Sequence, residues 1–312
     1  MEKLFGLPVL AAIIAGVLFP YTAISLLPLS FAFLFVLMLL SGFSIDWRKL
    51  TTMINRPMQL LLGLFLAFLF FPFLQLLLAR FLLTDSQFLV GMVFSSLMPV
   101  AMVAPFFSNQ LAGDEEMAFL LMVLSMLVAP FVAPGLLKLL TASVLPIQVG
   151  PFMKSMFLLV TVPLFCSFLV SRYLPKMRDA VVPYLAVGNM VALSLLIFIL
   201  FGTIVGRLNI GYESKAEIGR LLLLVFFQDF GVFFLARLFV GRIFSVREAN
   251  AVMVSLSMKN VAIAAGILLF YDPRAALPPA LVFIAHACLF SFLPALKHSL
   301  GLRPEENTDA NH

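Results

Sequence analysis

Three ionisable side chains, Asp229, Lys259 and His286, lie inside long apolar runs. Asp or Lys at mid-bilayer costs about 2.5–3.5 kcal/mol even on a lenient insertion scale. Such residues persist where they pair, face a cavity, or move a proton or ion. Lys259 lies beside Asn260, whose amide both donates and accepts hydrogen bonds, and one helical turn beyond Ser255 on the same face. If the backbone unwinds there, freed N–H groups and half-helix dipoles add anion-binding capacity. An ammonium at such a point can neutralise a carboxylate substrate or stand in for a metal ion; the plainer reading is a structural ion pair. Asp229, preceded by Gln228, is either a substrate or proton site or the counter-ion of Lys259, and the two are expected to approach closely, directly or through one water, in at least one state of the transport cycle. His286 is either part of the same site or a histidine hydrogen-bonded to its helix neighbours.

The elements holding these groups are set by composition. The chain has 312 residues, 63% hydrophobic and 11% charged, with a mean hydropathy of +1.13, against about 45–50% apolar and about 25% charged for soluble domains. Lipid, not water, is the partner for that surface. The net charge of +5 is spread singly or in small groups between apolar runs, which is how a membrane protein orients itself and not a nucleic-acid footprint. Cys166 and Cys288 fall inside apolar runs without metal-ligand spacing, so both read as small buried hydrophobes. With no H-E-x-x-H, nucleophile–base pair or metal cluster, an intramembrane enzyme is disfavoured. A channel is disfavoured too, since no repeated selectivity-filter sequence is present.

Runs near the length needed to cross a bilayer predict ten helical spans: 4–20, 28–44, 57–82, 87–110, 116–141, 150–173, 182–206, 219–240, 247–271 and 278–297. The first resembles a signal peptide, but no A-x-A-like site follows and the next apolar run begins almost at once; it is read as a membrane helix. Ten spans place both termini on one side, and the Lys/Arg excess there points to the cytoplasm, in a bacterial inner membrane. Residues 301–312 form a polar tail, expected to be disordered.

Spans four and nine contain related strings, Val93-Phe94-Ser95-Ser96-Leu97-Met98-Pro99 and Met253-Val254-Ser255-Leu256-Ser257-Met258-Lys259. Each lies fourth in a set of five. Because five is odd, tandem copies over 1–145 and 146–300 must sit inverted in the membrane, the arrangement of many secondary transporters. Pro99 and Pro105, flanking Met102, each remove an N–H donor. Both spans are therefore expected to be interrupted, near 99–105 and 258–262, and to cross near mid-membrane.

At these residues the chain resembles the bile acid:sodium symporter family along nearly its whole length. Ser255-Leu256-Ser257-Met258-Lys259-Asn260 stands where that family carries Glu-x-Gly-x-Gln-Asn, and Gly42-Phe43-Ser44-Ile45 is similar to its Gly-Leu-x-Leu ending to span two. Met153-Lys154 to Val162-Pro163, Ala129-Pro130 with Pro134, and His286 match its sixth, fifth and last spans. The resemblance implies an all-α membrane protein with ten transmembrane helices as two inverted five-helix repeats. A panel (spans 1, 2, 6, 7) would face a core (spans 3, 4, 5, 8, 9, 10), with discontinuous spans four and nine crossing.

The departures fall on the sodium ligands the resemblance implies. Pro-Gly-Gly-Thr-Ala-Ser-Asn is replaced by Pro99-Val100-Ala101-Met102-Val103-Ala104-Pro105, so Ser and Asn become Ala104 and Pro105. Glu becomes Ser255, Gln becomes Lys259, a Thr becomes Met126 and another Gln becomes Phe68. Methyl and thioether groups do not replace the oxygens a hard cation requires. The expected function is a secondary active carrier of small organic anions, working by alternating access without sodium and using Lys259, Asn260, Ser255, Asp229, His286, Pro99 and Met102. The alternatives are a conventional sodium/organic-anion symporter and an Asp-Lys cation/proton antiporter. No cofactor is expected; the lipid bilayer and the organic anion are the partners.

Overall fold

The computed structural model describes residues 6–47, 56–141, 148–208, 215–233 and 240–299, with side chains as far as 286 in the last stretch. The helices in chain order are α1 (Gly6–Leu18), α2 (Pro20–Ser25), α3 (Ser30–Phe43), α4 (Pro57–Leu82), α5 (Ser86–Ser96), α6 (Ala104–Gln110), α7 (Glu115–Thr141), α8 (Val149–Tyr173), α9 (Pro175–Arg207), α10 (Lys215–Phe226), α11 (Val246–Ser257), α12 (Val261–Tyr271) and α13 (Pro273–Ser299). Among the described residues the single non-helical pairing is an isolated antiparallel bridge between Val100 and Lys259. Four helices, α4, α7, α8 and α9, are long and apolar enough to cross a membrane unaided, and α1, α3, α5 and α12 are shorter apolar helices.

The expected fourth span is two helices, α5 and α6, separated by residues 97–103. Pro99 has no N–H to donate and disfavours helix at Met98 before it. Ala104-Pro105 then opens α6, where a proline in the first turn is tolerated. The ninth span is α11 and α12, parted at Met258 (φ −90°, ψ 90°) and Asn260 (φ −77°, ψ 70°). No proline enforces this break; the N–H and C=O groups it frees are satisfied across the other one. Ala101 N donates to Met258 O at 2.8 Å, and Asn260 N donates to Pro99 O at 2.8 Å. The two interruptions therefore satisfy each other, as buried backbone must.

The ends of the broken helices are capped by side chains. Asp85 accepts from Gln87 N and Phe88 N at the start of α5. Ser245 and Glu248 form a reciprocal capping box at the start of α11.

Three helical runs carry a single π turn: Leu66–Phe70 in α4, Phe157–Thr161 in α8, and Phe227–Gly231 after α10. The first two precede Phe71-Pro72 and Val162-Pro163. A mid-helix proline clashes with the carbonyl one turn back, and the wider turn makes room for it.

Around the crossing pair, α5 packs against α4 and α13, α12 against α13, and α11 against α6 and α7. A second group forms where α1 and α3 pack on α9 and α3 on α8. A Cβ at Gly202 would stand 2.3 Å from Ala23 Cβ, and one at Gly16 would stand 2.6 Å from Phe198 O. Glycine at both places lets these backbones touch, as membrane helices often do.

Several boundaries differ from expectation. The first span ends at Leu18, and α2 follows because Pro20 opens a new helix. The seventh begins at Pro175, with a 3₁₀ turn over Val182–Tyr184, and the tenth begins earlier, at Pro273. Cys166 is half-buried instead of buried. Residues 234–239 of the expected eighth span, and the tail 301–312, lie outside the described residues.

Candidate functional site

The α11–α12 break holds Lys259 by its backbone and sends its side chain toward α4. The residue is 1% exposed. Its Nζ donates to Ala67 O at 3.1 Å and lies 5.7 Å from the ring centroids of both Phe68 and Phe71. Ala67 O is available for a physical reason. In the π turn Phe71 N bonds Leu66 O, so the donor next in register for Ala67 O is residue 72. That residue is Pro72, which has no N–H. The ammonium fills the acceptor that proline leaves open, and the two phenyl rings add cation–π attraction. Lys259 makes no ion pair among the described residues.

In this structure Asp229 and Lys259 are not paired: each has a different partner. Asp229, in the π turn after α10, places Oδ1 3.0 Å from His286 Nε2 of α13. The same Nε2 is 3.2 Å from Ser257 O, the last residue of α11. The Ser257 contact meets hydrogen-bond geometry, whereas the Asp229 contact has ion-pair distance without that alignment, so neither Asp229 oxygen accepts an aligned hydrogen bond among the described residues. Depth along a span can be read from a sequence, but direction around it cannot. Lys259 turns to α4, and Asp229 meets α13 instead.

Pro99, Lys259 and Asn260 are brought together by the bridge between the two breaks. Asn260 is half-buried, its Nδ2 3.9 Å from Met38 Sδ of α3. Met102 is half-buried in the α5–α6 break. Ser255 is buried, and its Oγ has no hydrogen-bond partner among the described residues. Where the resemblance expects sodium ligands, Ala104, Met126 and Phe68 are buried and offer no side-chain oxygen. The Lys259 side chain brings a nitrogen there, and Ser255 supplies one hydroxyl. This donor set does not fit a hard cation, which needs several oxygens.

Sequence reasoning missed three supporting groups. Ser125 Oγ accepts from Val100 N at 2.9 Å, closing the α5–α6 break from α7. Ser95 Oγ donates to Gln228 Oε1 at 2.9 Å, tying α5 to the π turn after α10. Pro72 is the third. Its mid-span position was visible, and a proline there always frees a carbonyl.

Charged clusters hold both ends of the crossing pair. At one, Arg56 Nη1 lies 3.1 Å from Asp114 Oδ2 and 2.9 Å from Glu248 Oε1, and Asp114 N donates to Arg247 O at 2.9 Å. At the other, Glu217 accepts from Thr84 N and Asp85 N at 2.8 Å, from Thr84 Oγ1 at 2.9 Å and from Arg220, while Arg274 pairs with Asp85. Burial pushes the Glu217 carboxyl up, but the N–H groups of Asp85 and Thr84, the Thr84 hydroxyl and Arg220 outweigh it. They hold the group below its ordinary value.

Apolar helices, two of them broken and bridged around buried ionisable groups, define an integral membrane protein of the transporter type. The chain belongs to the Sodium Bile acid symporter family, whose model matches residues 31–208. It is 24% identical over 283 residues to a probable chloroplastic sodium/metabolite cotransporter of Oryza sativa subsp. japonica, covering 88% of this chain and 64% of that protein. An uncharacterized sodium-dependent transporter of Bacillus subtilis (strain 168) is 20% identical over 285 residues, covering 90% of this chain and 87% of its own length. A second probable chloroplastic sodium/metabolite cotransporter of the same rice is 26% identical over 161 residues, 52% of this chain and 38% of that protein. The chain thus spans just under two thirds of the first rice protein. The family and these relatives are transporters, not enzymes.

Proposed function

We propose that the chain is a secondary active carrier of small organic anions, working by alternating access and without sodium, with Lys259 as the fixed positive charge at the crossing. The observation that carries this reading is the seat of Lys259. Its ammonium is buried on a carbonyl and two aromatic faces, without a carboxylate partner among the described residues. A buried cation lacking a counter-ion is costly, and a bound carboxylate or other anion would supply one. Asn260 and Met102 lie on the two breaks, Ser255 lies in the last turn of α11, and the three complete the proposed site.

The architecture proposed with it is ten spans in two inverted repeats, 1–145 and 146–300, with both termini cytoplasmic in a bacterial inner membrane. Features recurring at a near-constant chain offset support the repeat. Pro99 corresponds to Lys259, Asp85 to Ser245 as helix cap, and the π turn at Leu66 to that at Phe227. Ser125, bonded to one break, corresponds to a place next to His286, bonded to the other. In this reading α1, α3, α8 and α9 form the panel and the remaining long helices the core. The two charged clusters then act as alternating clasps.

Sodium/organic-anion symport is the second reading. The relatives' description as sodium/metabolite cotransporter and sodium-dependent transporter favours it, as does the Ser255 Oγ, which has no hydrogen-bond partner among the described residues. The Asp-Lys antiporter reading has less support, because in this structure Asp229 faces His286 and Lys259 bonds Ala67 O. A thermal-shift screen of the purified protein against small organic acids, in sodium and in choline buffers at matched ionic strength, tests the proposal. Stabilisation by the same acids in both buffers is expected, and stabilisation only in sodium contradicts it.

A further inference from the structure

A buried carboxylate and the last turn of a broken helix converge on one imidazole nitrogen. His286 Nε2 faces Asp229 Oδ1 at 3.0 Å and Ser257 O at 3.2 Å, and one ring nitrogen carries at most one hydrogen for both. Asp229 and Ser257 are fully buried and His286 is 5% exposed. Asp229 Oδ2 and Gln228 Nε2, neighbours in the π turn, have no hydrogen-bond partner among the described residues.

We propose that the Asp229–His286 pair is the proton-binding site of this transporter, loaded from one face and emptied to the other with each anion carried. This rests on the reading of the chain as a sodium-free anion carrier and names the ion that reading leaves open. The step changes one N–H bond only. A proton from water converts the imidazole beside the Asp229 carboxylate to imidazolium, and water on the opposite face takes it back. Imidazole is suited to that exchange near neutral pH, whereas a nitrogen donor is a poor neighbour for a hard cation that selects oxygen.

Coupling to the anion follows from the backbone. Ser257 O, which meets the pair, is two residues before Lys259, which is held for the anion. Ser257 ends α11 and Lys259 lies in the segment that parts α11 from α12. Gln228 reaches the other broken helix through Ser95. A change of protonation therefore alters what grips the break that positions Lys259, a shared element that both ligands bias.

Helix α11, which packs on the π turn of Asp229, carries Arg247 and Glu248 at the end opposite Ser257, where Glu248 pairs with Arg56. Helix α5 carries no titratable side chain, and the one on α12 is Tyr271 at its far end. Glu217 and Arg220 of α10, and Asp85 with Arg274 at the starts of α5 and α13, belong to the terminal clasp. The charged side chains of α9 are Lys176, Arg178, Asp179 and Arg207, near its ends.

The chain has three histidines, so replacing His298 and His312 with Gln leaves one imidazole. ¹⁵N-histidine resonance of that chain in lipid reads the state of His286 directly, with the pair intact. In parallel, proteoliposomes on a solid-supported membrane receive pH jumps in sodium chloride and in choline chloride. We expect the His286 resonance to move between its neutral and charged positions as pH is varied across the range in which the protein stays folded. The wild type should displace charge with the same midpoint in both salts. Asp229→Asn and His286→Gln should abolish that displacement and Lys259→Met should retain it. A His286 resonance fixed across the range overturns the proposal even if the variants fail to fold. Displacement that survives in both pair variants, or disappears only in Lys259→Met, overturns it too. A fixed resonance alongside sodium-independent, Lys259-dependent anion binding would defeat the proton site alone; a titrating pair alongside sodium-dependent anion binding would defeat the sodium-free reading alone.

Discussion

Pro72 and Lys259 are complementary: the proline withholds the N–H that Ala67 O would otherwise receive, and the lysine supplies one at 3.1 Å. The contact joins the α11–α12 break to the π turn of α4. It seats the Lys259 side chain on a backbone carbonyl and leaves the place of a carboxylate open.

Lys259→Met keeps an unbranched side chain one atom shorter and removes the amine. No carboxylate is stranded, so the loss is limited to one unsatisfied buried carbonyl, about 1–3 kcal/mol, offset by relief of a buried charge. Chemical unfolding in detergent should show a net change within about 2 kcal/mol of the wild type, with loss of anion binding. His286→Ala should behave differently, because it leaves the Asp229 carboxylate uncompensated. A loss of about 3–5 kcal/mol is expected by the same measurement.

Double-mutant cycles separate the two halves of the crossing. Asp229→Asn combined with Lys259→Met should be additive to within about 0.5 kcal/mol, since the residues have different partners. Asp229→Asn combined with His286→Gln should show coupling of at least about 1 kcal/mol. Coupling in the first cycle and additivity in the second would reverse the assignment of partners.

Glu217 gives a pH test away from the membrane core. Its folded value lies below its ordinary 4.5. The carboxylate therefore stabilises the fold fully above 4.5, and that contribution is lost as pH falls through the folded value. Melting temperature should decline below about pH 4.5 in the wild type, and Glu217→Gln should remove part of that slope. An unchanged slope in the variant would show that other carboxylates set it.

Arg56 is the exposed member of the opposite clasp, with 56% of its side chain accessible. Exposed ion pairs contribute about 0–1 kcal/mol. Arg56→Ala should therefore cost no more than about 1 kcal/mol in a melt while shifting the balance between inward- and outward-open forms. Cysteine accessibility at Met102, compared with and without the Arg56 substitution, reads that shift.

Much of the fold was legible because prolines and polar residues in apolar runs have few explanations. Pro99 and Pro105 located one break, and Lys259-Asn260 located the other although no proline marks it. What stayed hidden was direction. Asp229 and Lys259 lie on neighbouring spans, but the π turn after α10 presents Asp229 to α13, and nothing in the spacing announces that turn. Pro72 stood in plain view, yet its effect passes through Ala67, whose side chain carries no chemistry. The short helix Pro20–Ser25 fell in the gap between the expected spans 4–20 and 28–44, where Tyr21, Thr22 and Ser25 interrupt the apolar pattern.

The central claim is that Lys259 supplies the fixed positive charge for an organic anion in place of sodium. Binding of the best acid from the thermal-shift screen, titrated calorimetrically against wild type and Lys259→Met in sodium and in choline buffers, tests it most directly. The account predicts equal affinity for the wild type in both buffers and a loss of at least about tenfold in Lys259→Met, the equivalent of about 1.4 kcal/mol. Binding by the wild type only in sodium, or undiminished affinity in Lys259→Met, would contradict it.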